Sequence, residues 1–173
     1  VLHKNLMIIQ FFIMNYLKKG IKLYLSIIMW ATYDDSEFPI IRVKLKGKIQ
    51  NNVDFCNFVT TWESYNLRRS EYVFIFDATE VGRVNIKYAF KMASFIKDLK
   101  RKEQYLKSSI IIVESKYLRF LLNLIFKLQK PVANVYITRD KSEKHIERIR
   151  EAIYGGYSYD LQDLVFVKSY RNN

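Results

Sequence analysis

Asp77 closes an unbroken apolar run, Tyr72-Val-Phe-Ile-Phe76, and is followed within eight residues by Thr79, Glu80, Arg83 and Asn85. A carboxylate at the C-terminal end of a central strand stands where α/β proteins build their ligand sites. These five residues make the one credible polar cluster of the chain. Either they hold a ligand, or the Asp77 carboxylate ties its own loop amides while Arg83 stays in water. Glu114 and Ser115 close the next apolar run and could join the same rim.

Other reactive side chains are sparse. His3 and His145 have no carboxylate or cysteine cluster beside them in sequence, so neither a zinc site nor a histidine-dependent triad is expected. Cys56 is the only cysteine, which excludes an intramolecular disulfide and offers no metal-ligand spacing. It reads as a small buried packing residue, in keeping with a reducing, cytoplasmic setting. Gly82 stands alone between Val81 and Arg83, far short of a phosphate-binding loop. The residues therefore point to a protein that is not an enzyme and uses no cofactor or metal.

Charge is the next signal. The 173 residues carry a formal net charge of +12, and +9 of it falls on residues 83–130. Lys87, Lys91, Lys97, Lys100, Arg101 and Lys102 could meet phosphates, anionic lipid or an acidic partner. No nucleic-acid reading module accompanies them, so nucleic acid is not the expected partner. AT-rich coding bias raises lysine together with isoleucine, tyrosine and phenylalanine, and stands as the alternative cause.

These side chains need elements to position them. From Met29 onward, Trp30–Tyr33 reads as a strand and Asp34–Pro39 as a turn. Ile40–Leu45 follows as an edge or half-exposed strand, with Arg42, Lys44 and Lys46 on its polar face. A helix then runs from an Asn51 or Asn52 cap to about Leu67, a strand over Glu71–Asp77, and a loop to Asn85. Asn85 caps a helix from Ile86 to about Gln104, which turns Ile86, Ala89, Met92, Ala93, Ile96 and Leu99 inward. Ser108–Val113 is a strand, Ser115 caps a helix to about Gln129, and Pro131 stops it. Val132–Thr138 is the last strand, and Asp140–Ile153 the last helix. Residues 1–28 read as an N-terminal extension. Its apolar runs are shorter than the roughly 18 residues that span a bilayer, though Lys18, Lys19 and Lys22 would suit an interfacial anchor. Residues 154–173 read as a tyrosine-rich C-terminal tail. The prediction is one α/β domain over 29–153, with a mixed, mostly parallel sheet of about five strands and four helices in the order β-β-α-β-α-β-α-β-α.

The helix over 115–129 is unusual. Lys116, Arg119, Asn123 and Lys127 fall in an arc of about 80°, and apolar residues from Tyr117 to Leu128 fill about 240° of the remainder. A helix packed on a sheet needs a stripe only somewhat over 100° wide. The surplus must be covered within the chain, by a protein partner or second subunit, or by lipid.

The element order, with Tyr72-Val-Phe-Ile-Phe-Asp77 leading into a short loop and helix, resembles the STAS domain of anti-sigma-factor antagonists and related STAS/SEC14-like proteins. The best-matching stretch is Ser115-Lys-Tyr-Leu-Arg-Phe-Leu-Leu-Asn-Leu-Ile-Phe-Lys-Leu128, with Pro131-Val-Ala133 entering the next strand. The resemblance covers roughly residues 30–153 and implies a non-enzymatic domain that binds a protein partner, sometimes a nucleotide or lipid. It also implies a phosphorylatable Ser or Thr at the start of the helix after the third strand. Here that place reads Asn85-Ile86-Lys87, so no phosphorylation switch is expected. The expected function is docking through loop 78–85 and helix 115–129, with Asp77, Thr79, Glu80, Arg83, Asn85, Lys116, Arg119 and Lys127 as binding residues. The alternative is a lipid-binding or membrane-peripheral protein that uses the apolar helix and its basic stripe.

Overall fold

Apolar runs without polar alternation form strands that can be covered on both faces, and three of them lie side by side in chain order. The computed structural model describes residues 29–155 and 164–170. Along the chain come β1 (Ala31–Asp34), β2 (Ile40–Gly47), α1 (Asn52–Asn66), β3 (Tyr72–Val81) and α2 (Lys87–Leu99). They are followed by β4 (Leu106–Ile112), α3 (Lys116–Leu128), β5 (Asn134–Thr138), α4 (Glu143–Gly155) and β6 (Val165–Val167). The sheet order is β1-β2-β3-β4-β5-β6. β2 to β5 are parallel, and β1 and β6 pair antiparallel at the two edges.

This is the expected α/β class with four helices, but the sheet has six strands, not five. The sixth comes from the segment expected to be a tail. Val165–Val167 pairs with Val135–Ile137, the Phe166 ring lies 5.2 Å from that of Tyr136, and Ser169 N–H donates to Asn134 Oδ1 at 3.0 Å. The extension over residues 1–28 lies outside the described residues.

Sequential parallel strands joined by right-handed crossovers put their helices on one side. Phe55, Phe58 and Trp62 of α1, Ala89 and Ile96 of α2, and Leu118, Leu121 and Ile125 of α3 accordingly share one core with Phe74 and Phe76 of β3. On the other face, α4 sets Ile146 and Ile149 against Ile75, Ile110 and Ile112. Over β2, this second face is polar, with Arg42 and Lys44 half-exposed. β2 is therefore half-exposed but no edge strand, since β1 and β3 flank it.

The larger core is aromatic. On β3, the rings of Tyr72, Phe74 and Phe76 follow one another at 5.1 Å. Trp62 meets Phe74 at 5.0 Å and Phe76 at 5.3 Å, and Tyr65 meets Phe74 at 5.8 Å. Offset and edge-on contacts at such distances each add about 0.5–1.5 kcal/mol beyond area burial.

Local chemistry moved several predicted boundaries. α1 is capped by Asn51, whose Oδ1 accepts from Val53 N–H and Asp54 N–H, while Asp54 accepts from Gln50 N–H. Its buried face is Phe55, Phe58, Trp62 and Tyr65, so Cys56 is exposed, contrary to expectation. Four large aromatics outweigh one thiol in choosing which face turns inward. α2 ends at Leu99, five residues early, because the buried Gln104 amide turns back and donates to Leu99 C=O at 2.7 Å. Ile86, expected inward, is exposed at the head of α2. β3 runs on to Val81, so Ala78–Val81 is strand and not loop.

Phe74 is fully buried among five aromatic neighbours. Phe74→Ala is expected to cost about 3–5 kcal/mol in urea unfolding. Gly47 has φ +64° with open space around a Cβ. Gly47→Ala should therefore cost about 1–2 kcal/mol through backbone strain alone; a loss as large as that of Phe74→Ala would contradict this.

Candidate functional site

β3 carries the predicted cluster, and its last residues are governed by an irregularity. Asp77 lies opposite Lys44 and Glu80 opposite Lys46, so β3 takes three steps where β2 takes two. One extra residue switches the side-chain alternation, as a β-bulge does. Glu80 thereby joins Asp77 on the face that carries α4. There Lys44 Nζ stands 2.5 Å and Lys46 Nζ 3.9 Å from the Glu80 carboxylate. The Lys44 hydrogen bond, with its charge, holds Glu80 below the usual carboxylate range, and Glu80 in turn raises Lys44. Lys44 is half-exposed and Glu80 exposed, so the pair is worth little to stability.

Asp77 is half-buried, and its Oδ1 accepts from Thr79 N–H at 3.0 Å and from the Thr79 hydroxyl at 2.6 Å. It closes the backbone on itself. Beside it, a mostly apolar hollow of about 390 Å³ is lined by Val43, Ile75, Ile112 and Ile146, with Thr32, Asp34, Lys44 and Glu143 also in its wall. Arg42 spans this hollow with two 3.1 Å bonds to the Glu143 carboxylate, tying β2 to the first turn of α4.

The remaining predicted residues lie elsewhere. Asn85 Oδ1 accepts from Lys87 N–H at 3.0 Å, but the N-cap position of α2 is Ile86, which makes no side-chain cap bond, so Asn85 is not the expected cap. Arg83 is exposed, with its guanidinium 6.0 Å from the Tyr117 ring of α3. Lys116 and Lys127 are exposed at opposite ends of α3, about 16 Å apart along the axis. Arg119 is half-buried and donates through Nε to Val113 C=O at 3.3 Å, so it fastens the helix to the end of β4. The predicted binding residues thus fall into two groups. Asp77, Thr79 and Glu80 belong to the α4 side of the sheet, while Arg83, Asn85, Lys116 and Arg119 belong to the layer of α2 and α3.

One constellation escaped the sequence. His145 has a carboxylate close by after all: Asp140 Oδ2 stands 3.7 Å from Nδ1, and Thr138 Oγ1 lies 3.0 Å from Nε2. The turn between β5 and α4 folds back and brings them together. Asp140 N–H donates to Thr138 Oγ1 at 3.0 Å, and Asp140 Oδ1 accepts from Ser142 N–H at 2.8 Å. Hydroxyl, imidazole and carboxylate in this order resemble a nucleophile with its base and orienting acid. Thr138 is 0% exposed, however, and its oxygen is already bonded, so no substrate carbon can approach it. The group acts as a clasp holding α4 to β5. The signal was the Asp-x-Ser turn before the helix, an Asx turn whose reach to the histidine only the fold reveals.

Among the described residues no group of three or more His, Cys, Asp or Glu side chains is arranged to hold a metal ion, and no helix is long and apolar enough to cross a membrane. No protein-family model matches the chain, and comparison with curated proteins finds no match.

The Asp140 carboxyl is held below its ordinary range, first by the Ser142 backbone, then by the Ser142 side chain, with His145 adding to both. A depressed carboxyl stabilises the fold above its unfolded pKa, near 3.9, and loses that contribution as pH falls through the lower folded value. Asp140→Ala should therefore lower Tm at pH 7 and pH 5, and the gap from wild type should narrow below about pH 4. Thermal unfolding from pH 7 to pH 3 checks this; a gap independent of pH would refute the clasp.

Proposed function

We propose that this domain is a non-catalytic, STAS-like docking module that binds a protein partner through the outer side of α2 and α3. The observation that carries the reading is a set of large apolar side chains left in water on these two adjacent helices. Ile86 and Phe90 on α2, and Tyr117, Phe120 and Leu128 on α3, are all exposed. Part of the surplus on α3 is covered within the chain: Leu118, Leu121 and Ile125 are buried, and Leu122 and Phe126 pack partly against the core. Phe120, at 54% exposure, is not.

Exposed Lys87, Lys97, Lys116 and Lys127 stand on the same two helices, and Arg83 lies beside Tyr117. Apolar anchors among cations suit a partner segment with apolar and acidic side chains, such as an acidic amphipathic helix laid against these two helices. Element order over residues 31–155 agrees with that of the STAS-like resemblance and supports the same reading. A second reading uses the same surface: aromatic and aliphatic side chains among lysines also suit an anionic membrane.

Neighbouring residues separate surface from core. Leu121 is 4% exposed, so Leu121→Glu should unfold the domain, while Phe120→Glu should leave Tm within a few degrees of wild type. The docking test compares wild type with Phe90→Glu/Phe120→Glu in co-purification from cells and in flotation with phosphatidylserine vesicles. A protein recovered by wild type and lost by the folded variant is the expected result. Flotation with vesicles, abolished by the same substitutions, would replace the protein partner by a membrane surface.

A further inference from the structure

Residues paired across neighbouring strands turn their side chains to the same face of a sheet. On the α4 side this register gives one row through Thr32, Lys44, Asp77 and Ile112, and a second through Asp34, Arg42 and Ile75. Helix α4 covers the Ile75 and Ile112 end of these rows with Ile146. Over β2 the rows come out into water, and Arg42 and Lys44 are half-exposed. The step from covered to open strands is the hollow of about 390 Å³. A cleft of roughly 300–1,000 Å³ with an apolar lining and a few charged groups is the usual form of a small-molecule site. This one lies beside Ile112 and Lys141, at the carboxyl ends of β4 and β5, where α/β proteins bind ligands.

Its wall carries three cations, Arg42, Lys44 and Lys141, and three carboxylates, Asp34, Asp77 and Glu143. Most are engaged within the chain. Arg42 binds Glu143, Lys44 binds Glu80, and Asp34 Oδ1 accepts from Ser36 N–H. Two groups remain. Asp77 gives Oδ1 to Thr79, and its Oδ2 accepts no hydrogen bond from the described residues. Lys141, on the turn into α4, is exposed and forms no ion pair with them. Asp77 lies on β3 and Lys141 follows β5, with Ile112 of β4 between them. Both border the same hollow, so a flexible lysine stem can bring its ammonium toward a ligand held at Asp77.

We propose that this hollow binds a free α-amino acid with an apolar side chain. The ligand ammonium donates to Asp77 Oδ2, its carboxylate accepts from Lys141 Nζ, and its side chain lies on Ile75, Ile112 and Ile146. An apolar amine or an apolar acid alone satisfies only one of the two groups. A charged side chain would be set against isoleucines and is rejected. The hollow is on the opposite side of the sheet from α2 and α3, so the site goes beyond the docking reading and does not depend on it.

The test titrates the full chain with L-leucine, with 3-methylbutylamine and 4-methylpentanoate, which each lack one of its charges, and with L-glutamate, all followed by amide NMR. Expected is saturable binding of leucine with Kd below about 1 mM, shifting the amides of Asp77, Ile112 and Lys141. Both analogues should bind at least tenfold more weakly, and glutamate should not bind. Asp77→Asn, which keeps Oδ1 for Thr79, should abolish the preference for leucine over 4-methylpentanoate. Lys141→Met should abolish the preference over 3-methylbutylamine, and its exposed position keeps that variant folded. No saturation by about 10 mM leucine, equal binding of either analogue, shifts confined to α2 and α3, or a folded variant that retains both preferences would each overturn the proposal.

Discussion

The contact between β3 and α1 is the constraint on which the remaining structure depends. Tyr72, Phe74 and Phe76 project three rings in succession from one face of a central strand, and α1 answers with Phe58, Trp62 and Tyr65. Trp30 and Tyr33 of the N-terminal edge add to the same layer, and the Tyr33 hydroxyl donates to Phe58 C=O at 2.9 Å. Burial keeps that phenol protonated far beyond the ordinary tyrosine range. Once β3 lies under α1, β2 and β4 have only one parallel register each that keeps their apolar residues inward. The order of the sheet follows.

This explains how much could be read beforehand. Tyr72–Phe76, Ile110–Val113 and Val135–Ile137 lack polar alternation because helices cover both faces of their strands, and that pattern needs no tertiary knowledge. Ala78–Val81 was unreadable as strand. Its Thr, Glu and preceding Asp look like a loop, and only pairing with Lys46 and Gly47 across the bulge extends it. β6 was equally hidden, since three residues near the end of a chain carry no periodicity, and its partner is an edge that only the assembled sheet exposes. Cys56 was misjudged because helical spacing alone admits two faces, and the choice between them rests on which side chains are largest. Of the candidate site, Asp77 was expected at a strand end but lies within β3, four residues before its end at Val81. Its separation from Arg83 and Asn85 depends on the two faces of a sheet, which a linear cluster cannot express.

Charge follows the same division. Lysines of the basic central segment do not form a continuous field, since several meet local acceptors. Lys91 reaches Asn52 Oδ1, Lys102 reaches Glu63, and Lys100 reaches Gln129 while lying over the Tyr170 ring. These bonds tie α2 to α1 and to the end of α3. Their energies are small, being largely exposed, but they remove several cations from the surface available to an anion. What remains basic around the apolar side chains is consequently sparse, which favours a partner read by shape and apolar contact over one held by charge alone.

Helix α3 shows why an apolar pattern need not determine its own exposure. With about 240° of its circumference apolar, hydrophobic burial alone would allow several rotations about the helix axis at similar cost. Polar atoms break that degeneracy. Ser115 Oγ accepts from Leu118 N–H, the Tyr117 hydroxyl donates to Val84 C=O at 2.7 Å, and Arg119 Nε donates to Val113 C=O. At the other end Lys100 Nζ binds Gln129 Oε1. The three of these bonds that leave the helix fix it near both termini and thereby hold Leu121 and Ile125 toward the sheet while Phe120 and Leu128 face out. Arg119 thus helps to set which apolar residues of α3 stay exposed. A helix so determined by its ends keeps the same apolar residues on its outer side without rolling them inward, and the proposed docking surface rests on those polar bonds as much as on the apolar residues themselves.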